Sequence, residues 1–184
     1  MGKEGTEPQE VQDYSLTEWD DQSVKLSQLF GDKAELIVIH NMGKHCPMCT
    51  MWADGFNGVL HHLEDRAAFV VVSPDSPNAQ KKFAQSRGWK FKMLSAQGTS
   101  FNEDMGFGTN EDPRPGVSVF LKKNAEVHRI AKDNFGPGDP YCVVYHFFDL
   151  LPGGSAKWRP KFKYNRSRSQ PAGVQSVRQK LPSA

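Results

Sequence analysis

The sequence predicts an α/β fold with a mixed central sheet: a parallel βαβ unit plus an antiparallel β-hairpin, with helices on both faces. Two short apolar runs, ELIVIH (35–40) and AAFVVVS (67–73), are typical of buried parallel strands. Right-handed crossovers pack the segments that follow such strands against the shared sheet. The later stretch GVSVFLKKNAEVHRIA predicts two more strands joined by a turn at Lys123 and Asn124, which supply the hairpin.

The remaining elements follow from their start and stop signals. Residues 49–66 place apolar side chains near one face of a helix, although two internal glycines weaken it. A Ser-Pro pair begins a second helix within 76–88, and a glycine ends it. Residues 90–95 alternate like a third strand, and 96–114 form a long loop rich in Gly, Asn and Asp. Residues 141–154 predict a last amphipathic helix, stopped by Pro-Gly-Gly.

The 184 residues, 38% of them hydrophobic, suit one domain, which we place at residues 14–164. The polar segment 1–13 is predicted to be disordered, and it lacks the apolar stretch of a secretion signal. Residues 155–184 carry eight Lys or Arg and no Asp or Glu. Such a stretch can attract nucleic acid, but we expect its last part, 165–184, to be a solvated basic tail.

Composition also limits the location and the role of the thiols. No run approaches the roughly 18 apolar residues of a membrane helix, so we expect a cytoplasmic protein that does not act at a membrane. The three cysteines, Cys46, Cys49 and Cys142, are too few for a disulfide scaffold. In a reducing compartment, closely spaced cysteines are more often catalytic or metal-binding.

The stretch GKHCPMC directs attention to Cys46 as a nucleophile. Cys46 lies where a strand gives way to a helix, and free backbone N–H groups at a helix start stabilise a thiolate. Lys44 and His45 add positive charge, and Pro47 suits the first helical position. These surroundings lower a thiol pKa from about 8.5. Cys49, one turn later, is then the resolving thiol.

A Cys-x-x-Cys pair between a strand and a helix of a βαβ unit indicates a thioredoxin-like dithiol–disulfide oxidoreductase. Such an enzyme needs no cofactor, because the two sulfurs carry the electrons. Its expected partner is a disulfide-containing protein or a small thiol, and we expect a monomer or a weak homodimer.

Three further residues are candidates for substrate binding: Pro115, Trp52 and Pro47. Pro115 directly precedes the first hairpin strand, where thioredoxin-like proteins place a cis-proline facing the cysteine pair. The position of Pro115 favours a cis bond, whereas most X–Pro bonds are trans. The sequence therefore leaves both isomers open. Trp52 suits core packing as well as a substrate surface.

Other interpretations of the thiols stay open. A zinc site would need additional ligands, such as His40, His45 or Cys142, and no second cysteine pair supplies them, so we assign no metal ligand. Structural thiols would make the chain a non-catalytic binding module. The Pro-x-x-x-Thr-x-x-Cys signature of peroxiredoxins is absent before both cysteines of the pair, which disfavours a peroxidase. Cys142 suits either a second resolving thiol or apolar packing.

Several long motifs carry a family resemblance: YSLTEWD, LIVIHNMGKHCPMCTMWADGFNGVL, AAFVVVSPDSP, PGVSVF and HFFDLLPGG. Together they resemble a family of bacterial thioredoxin-like proteins labelled as a domain of unknown function, across residues 14–164. The resemblance implies a thioredoxin fold and a Cys-x-x-Cys redox centre. Members carry an aromatic residue where this chain has Met48, a position that tunes the reduction potential.

Overall fold

The computed structural model describes residues 7–164, so the predicted tail at 165–184 lies outside the described residues. The described chain contains eight strands and five α-helices. The strands are β1 (Gln9–Val11), β2 (Ser15–Thr17), β3 (Ser23–Lys25), β4 (Glu35–His40), β5 (Ala68–Ser73), β6 (Lys92–Ser95), β7 (Gly116–Lys123) and β8 (Glu126–Asn134). The helices are α1 (Pro47–Gly58), α2 (Leu60–Arg66), α3 (Pro77–Arg87), α4 (Phe101–Asp104) and α5 (Val143–Phe148).

The strands form one mixed sheet in the order β1-β8-β7-β4-β5-β6-β2-β3. Strands β4, β5 and β6 are parallel, whereas β7 pairs with β4 in antiparallel register and continues into β8 as a hairpin. The predicted parallel unit and antiparallel hairpin are therefore confirmed.

The central strands bury both of their faces, and this explains why they are apolar runs rather than alternating sequences. Leu36 and Val38 of β4 belong to a core cluster that the short helix α4 and the segment around Phe30 cover. Ile39 of the same strand belongs to the cluster on the opposite face, which includes Trp52 of α1. Helices thus lie on both faces, with α1 and α3 together on the second.

The N-terminal part of the sheet was not predicted. Strand β1 lies within the segment expected to be disordered, and it pairs with β8 in antiparallel register. Gln9 accepts a hydrogen bond of 2.7 Å from Arg129, which ties the strand to its neighbour. Disorder is therefore wrong for residues 9–11, and the sheet begins before residue 14. Three residues carry too little pattern to reveal a strand whose stability comes from pairing.

The predicted helix over 49–66 is two helices. Helix α1 ends at Gly58, and Val59 takes φ −114° and ψ 12° between α1 and α2. A glycine followed by a β-branched residue explains the break, since both have low helix propensity.

The segment after α5 returns to the domain. The Trp158 ring packs edge-on against Phe148, with centroids 4.9 Å apart, and against Tyr145 at 5.9 Å. Arg87 donates a 2.8 Å hydrogen bond to the carbonyl of Phe162. We call residues 152–164 the C-terminal arm.

A buried histidine lies at the end of β4. His40 is 1% exposed; its Nδ1 donates to Asn102 Oδ1 at 2.9 Å, and its Nε2 accepts from the Ser118 hydroxyl at 3.0 Å. Phe107 stacks on the ring at a centroid distance of 4.0 Å. Burial away from water lowers the pKa of His40 to about 4, so the folded state holds a neutral ring.

The neutral His40 makes stability depend on pH. Below about pH 6.5 the unfolded chain binds a proton at this residue and the folded chain does not, so unfolding becomes easier. We expect the free energy of unfolding to fall by up to roughly 1.4 kcal/mol per pH unit between 6.5 and about 4 from this group alone. Urea titrations across this range measure the slope.

His40→Gln should flatten the slope while lowering stability at neutral pH, because the amide has no proton to take up. The control His61→Gln changes a histidine on the exposed face of α2 and should retain the wild-type slope. An unchanged slope in His40→Gln would show that another group dominates.

Candidate redox site

The cysteine pair lies where parallel strand β4 delivers the chain to helix α1. Cys46 is the N-cap of α1, with extended backbone (φ −96°, ψ 104°), and Pro47 occupies the first helical position. A proline there costs no hydrogen bond and favours the helical backbone. The strand end and the helix start together aim the Cys46 sulfur at free backbone N–H groups.

The loop before Cys46 is held by two side chains. Asn41 accepts a 2.8 Å hydrogen bond from the Gly43 N–H, and Asp75 accepts one of 2.7 Å from the Lys44 N–H. Gly43 has φ +100°, and a Cβ there would lie 2.8 Å from the Asp75 carboxylate. Only glycine fits this close approach without displacement, so the loop conformation depends on Gly43.

Cys46 carries the more acidic thiol. It is partly exposed, and its Sγ accepts a hydrogen bond of 3.1 Å from the Cys49 backbone N–H. A hydrogen bond from the Cys49 thiol, opposed by partial burial and aided by the N–H groups of Cys49 and Met48, lowers the pKa of Cys46 to about 7. A substantial fraction of Cys46 is therefore thiolate at neutral pH.

The predicted role of Lys44 and His45 differs in the structure. The groups that lower the Cys46 pKa are the Cys49 thiol and backbone N–H groups, and neither the Lys44 nor the His45 side chain is among them. The His45 side chain is exposed to water. Lys44 contributes its backbone N–H to the loop instead.

Cys49 has the opposite electrostatics. It is 2% exposed, and its pKa is raised because its thiol donates to Cys46, because it is buried, and because the Cys46 charge lies close by. Both residues are free thiols. The pair therefore shares one proton that stays on Cys49 while the charge stays on Cys46.

A cavity of about 370 Å³ opens at Cys46. It brings Cys46 together with Pro115 and Trp52, two of the residues predicted to bind substrate, whereas Pro47 is not among its lining residues. The peptide bond before Pro115 is trans, and the Pro115 carbonyl accepts the Phe135 N–H at 3.0 Å. We call this cavity the Cys46 groove; its other lining residues are Met42, Met48, Phe135, Gly136, Pro137, Tyr145 and Arg159.

Asp139 supports one wall of the groove, and the sequence did not reveal it. Its buried carboxylate accepts the Trp52 indole N–H at 3.4 Å and the backbone N–H groups of Gly136 and Tyr141, both at 2.8 Å. Trp52 is 3% exposed, so it serves core packing while its edge borders the groove.

Cys142 belongs to a different cavity. A larger space of about 550 Å³ lies beside Trp52 and is lined by Cys142, with neither Cys46 nor Cys49 among its lining residues. Burial raises the pKa of the Cys142 thiol, which favours the predicted packing role over that of a resolving thiol. His40, considered as a zinc ligand, has both ring nitrogens engaged by Asn102 and Ser118.

A family model described as "Bacterial protein of unknown function (DUF899)" matches residues 9–170. The chain belongs to this family. No curated protein matches the chain significantly. Within residues 7–164, the DUF899 chain has no helix with the length and hydropathy that crossing a membrane would require.

Several solved structures similar to this DUF899 chain are peroxiredoxins or peroxiredoxin-like proteins. Peroxidoxin BcpB from Mycobacterium tuberculosis superposes with a TM-score of 0.59 at 23% identity, over 69% of this chain and 84% of that one. A peroxiredoxin-like protein from Aquifex aeolicus gives 0.53 at 21%, over 71% and 74%. Peroxiredoxin Q from Xanthomonas campestris gives 0.56 at 17%, over 66% and 80%. The predicted thioredoxin-like fold is confirmed.

The source of the Cys46 acidity can be measured by alkylation against pH, with the Cys46 peptide followed by mass spectrometry. The wild-type rate should reach half its plateau near pH 7, where the thiolate forms. Cys49→Ala removes the thiol donor and should shift this midpoint upward, whereas Cys49→Ser keeps an O–H donor and should shift it less.

Lys44→Gln and His45→Gln serve as controls in the same assay. Neither side chain is among the groups that lower the Cys46 pKa, so both midpoints should stay near the wild-type value. If either control shifts the midpoint as much as Cys49→Ala does, the Lys44 or His45 side chain lowers the Cys46 pKa, and the assignment to the Cys49 thiol is wrong.

Proposed function

We propose that this protein is a thioredoxin-like dithiol–disulfide oxidoreductase with Cys46 as nucleophile and Cys49 as resolving thiol. The observation that carries the proposal is the division of roles within the pair. Cys46 caps α1, is partly exposed and accepts the Cys49 N–H at 3.1 Å, and its pKa is lowered to about 7, whereas Cys49 is buried and its pKa is raised. Opposite pKa shifts in two neighbouring thiols, one lowered and one raised, are the pattern expected of a nucleophile and its resolving partner.

The proposed reaction needs no cofactor. The Cys46 thiolate attacks a disulfide sulfur of the substrate, whose S–S bond breaks, and the leaving thiolate takes up a proton. Cys49 then loses its proton and attacks Cys46, so that the second substrate thiolate departs. The substrate disulfide is reduced to two thiols, and the Cys46–Cys49 dithiol is oxidised to a disulfide.

The proposal extends to the partner, the oligomeric state and the location. We propose a disulfide-containing protein or a small thiol compound as the partner, and a monomer or weak homodimer as the working form. A cytoplasmic location fits a dithiol that must be returned to its reduced state.

Peroxide reduction is a second candidate, and the peroxiredoxin neighbours favour it. Here the Cys46 thiolate would attack a peroxide oxygen, forming a sulfenic acid and releasing an alcohol or water. Cys49 would then condense with the sulfenic acid and release water. The peroxiredoxin signature is absent before Cys46, which ranks this reaction below disulfide exchange.

Trapping the mixed disulfide tests the first proposal. Reduced Cys49→Ser protein mixed with 2-hydroxyethyl disulfide should retain the mixed disulfide on Cys46, because no resolving thiol is present. Wild-type protein should instead lose the Cys46 and Cys49 thiols and end with an internal disulfide. Peptide mass spectrometry distinguishes the two products.

Cys142→Ser is the matched control and should behave like the wild type, since Cys142 lines the other cavity. A parallel reaction with hydrogen peroxide shows whether peroxide oxidises the pair faster than the disulfide does. If Cys46 reacts as slowly as an ordinary cysteine and no internal disulfide forms, the protein is a binding module and the proposal is wrong.

A further inference from the structure

The Cys46 groove combines an apolar lining with a single cationic side chain. Met48, Phe135 and Tyr145 present thioether and aromatic surface, and Arg159 is the one Lys, Arg, Asp or Glu among the described lining residues. A site built mainly from apolar surface with one charged group selects a ligand by the complementary charge.

Arg159 is held at the groove by its neighbours on the C-terminal arm. Trp158 packs against Tyr145 and Phe148, and the following Pro160 is buried. The arm backbone is therefore anchored on both sides of Arg159, whose exposed side chain lines the groove.

The guanidinium of Arg159 has donors to spare. Within residues 7–164 its recorded hydrogen bond goes to the Trp158 carbonyl at 3.2 Å, and no carboxylate of that range forms an ion pair with it. A guanidinium offers five N–H donors in a planar fork that matches a carboxylate. The residue has capacity for an anionic group that enters the groove from outside.

We propose that Arg159 is a specificity residue that selects small disulfides bearing a carboxylate as substrates of Cys46. This inference rests on the proposed dithiol–disulfide exchange. The groove volume of about 370 Å³ suits a small molecule rather than a folded domain. The apolar lining receives the carbon chain and the disulfide, while Arg159 binds the carboxylate.

The electron balance is that of ordinary exchange. Cys46 forms a bond with one substrate sulfur, and the other leaves as a carboxylate-bearing thiolate that takes up a proton. Cys49 then displaces the second half, so that one disulfide yields two carboxylate-bearing thiols and one protein disulfide.

Three symmetrical disulfides of similar length test the proposal: 3,3′-dithiodipropionate, 2-hydroxyethyl disulfide and cystamine. They differ in charge, being anionic, neutral and cationic at neutral pH. Stopped-flow oxidation of the reduced full-length protein should be fastest with the anion, by about tenfold over the neutral compound, and slowest with the cation. Added salt should reduce the difference.

Variants at Arg159 identify the source of the preference. Arg159→Gln should lose the tenfold advantage of the anion while its rate with the neutral disulfide stays near the wild-type value. Arg159→Lys should keep part of the advantage, since it retains the charge but not the fork. Lys157→Gln removes an exposed charge from the same arm, outside the groove, and should keep the full advantage.

The outcomes separate this inference from the function on which it rests. If no disulfide oxidises the pair, the proposed function fails. If all three react at similar rates in wild type, or if Arg159→Gln slows all three alike, exchange stands and the role of Arg159 in selecting anions is overturned. If Lys157→Gln loses the preference for the anionic disulfide as fully as Arg159→Gln does, the preference comes from the overall positive charge of the arm and not from Arg159.

Discussion

The chemistry proposed for this protein depends on the hydrogen bonds that end on the Cys46 sulfur. The Cys49 backbone N–H donates to that sulfur at 3.1 Å, and the nearby Cys49 thiol is the largest cause that lowers the Cys46 pKa, because Cys46 caps helix α1 and Cys49 lies one turn along it. The donors lie in the first turn of α1, next to the Cys46 sulfur. No side chain from a distant part of the described chain is needed to supply them. The charge is stabilised by groups that cannot move away from it.

The rest of the fold keeps that helix start in place. Strand β4 is buried between β5 and β7, so its end is fixed, and the loop that follows is pinned to the β5 end through Asp75. Gly43 lets the backbone approach Asp75 closely enough for this contact. Asp139 fixes Trp52 from the far side of the groove. The sheet, the loop and the groove wall together fix the surroundings of the Cys46 sulfur.

The sequence predicted the parts of this arrangement that are local and periodic. Buried runs revealed β4 and β5, and the Cys-x-x-Cys spacing at a helix start indicated Cys46 as the candidate nucleophile. It did not predict β1, whose three residues are stabilised by pairing with β8. It also missed Asp139, which holds the lining residue Trp52 by a hydrogen bond, and Arg159, which lines the groove. It attributed the Cys46 acidity to backbone N–H groups at the helix start and to Lys44 and His45. Of these, only the N–H groups are among the causes that lower the Cys46 pKa, beside the Cys49 thiol, whose role the spacing alone does not reveal.

In the proposed exchange, the electrostatics of the cysteine pair also set the order of the two steps. While Cys46 is a thiolate, its charge and its hydrogen bond with the Cys49 thiol hold the Cys49 proton in place, so Cys49 is a poor nucleophile. Once the Cys46 sulfur is bonded to a substrate it is neutral, and both of those causes disappear, leaving burial alone to raise the Cys49 pKa. Deprotonation of Cys49 is therefore easiest in the mixed disulfide, the state in which its attack completes the reaction. The raised pKa of Cys49 thus keeps this thiol protonated until the first step of the proposed exchange has formed the mixed disulfide.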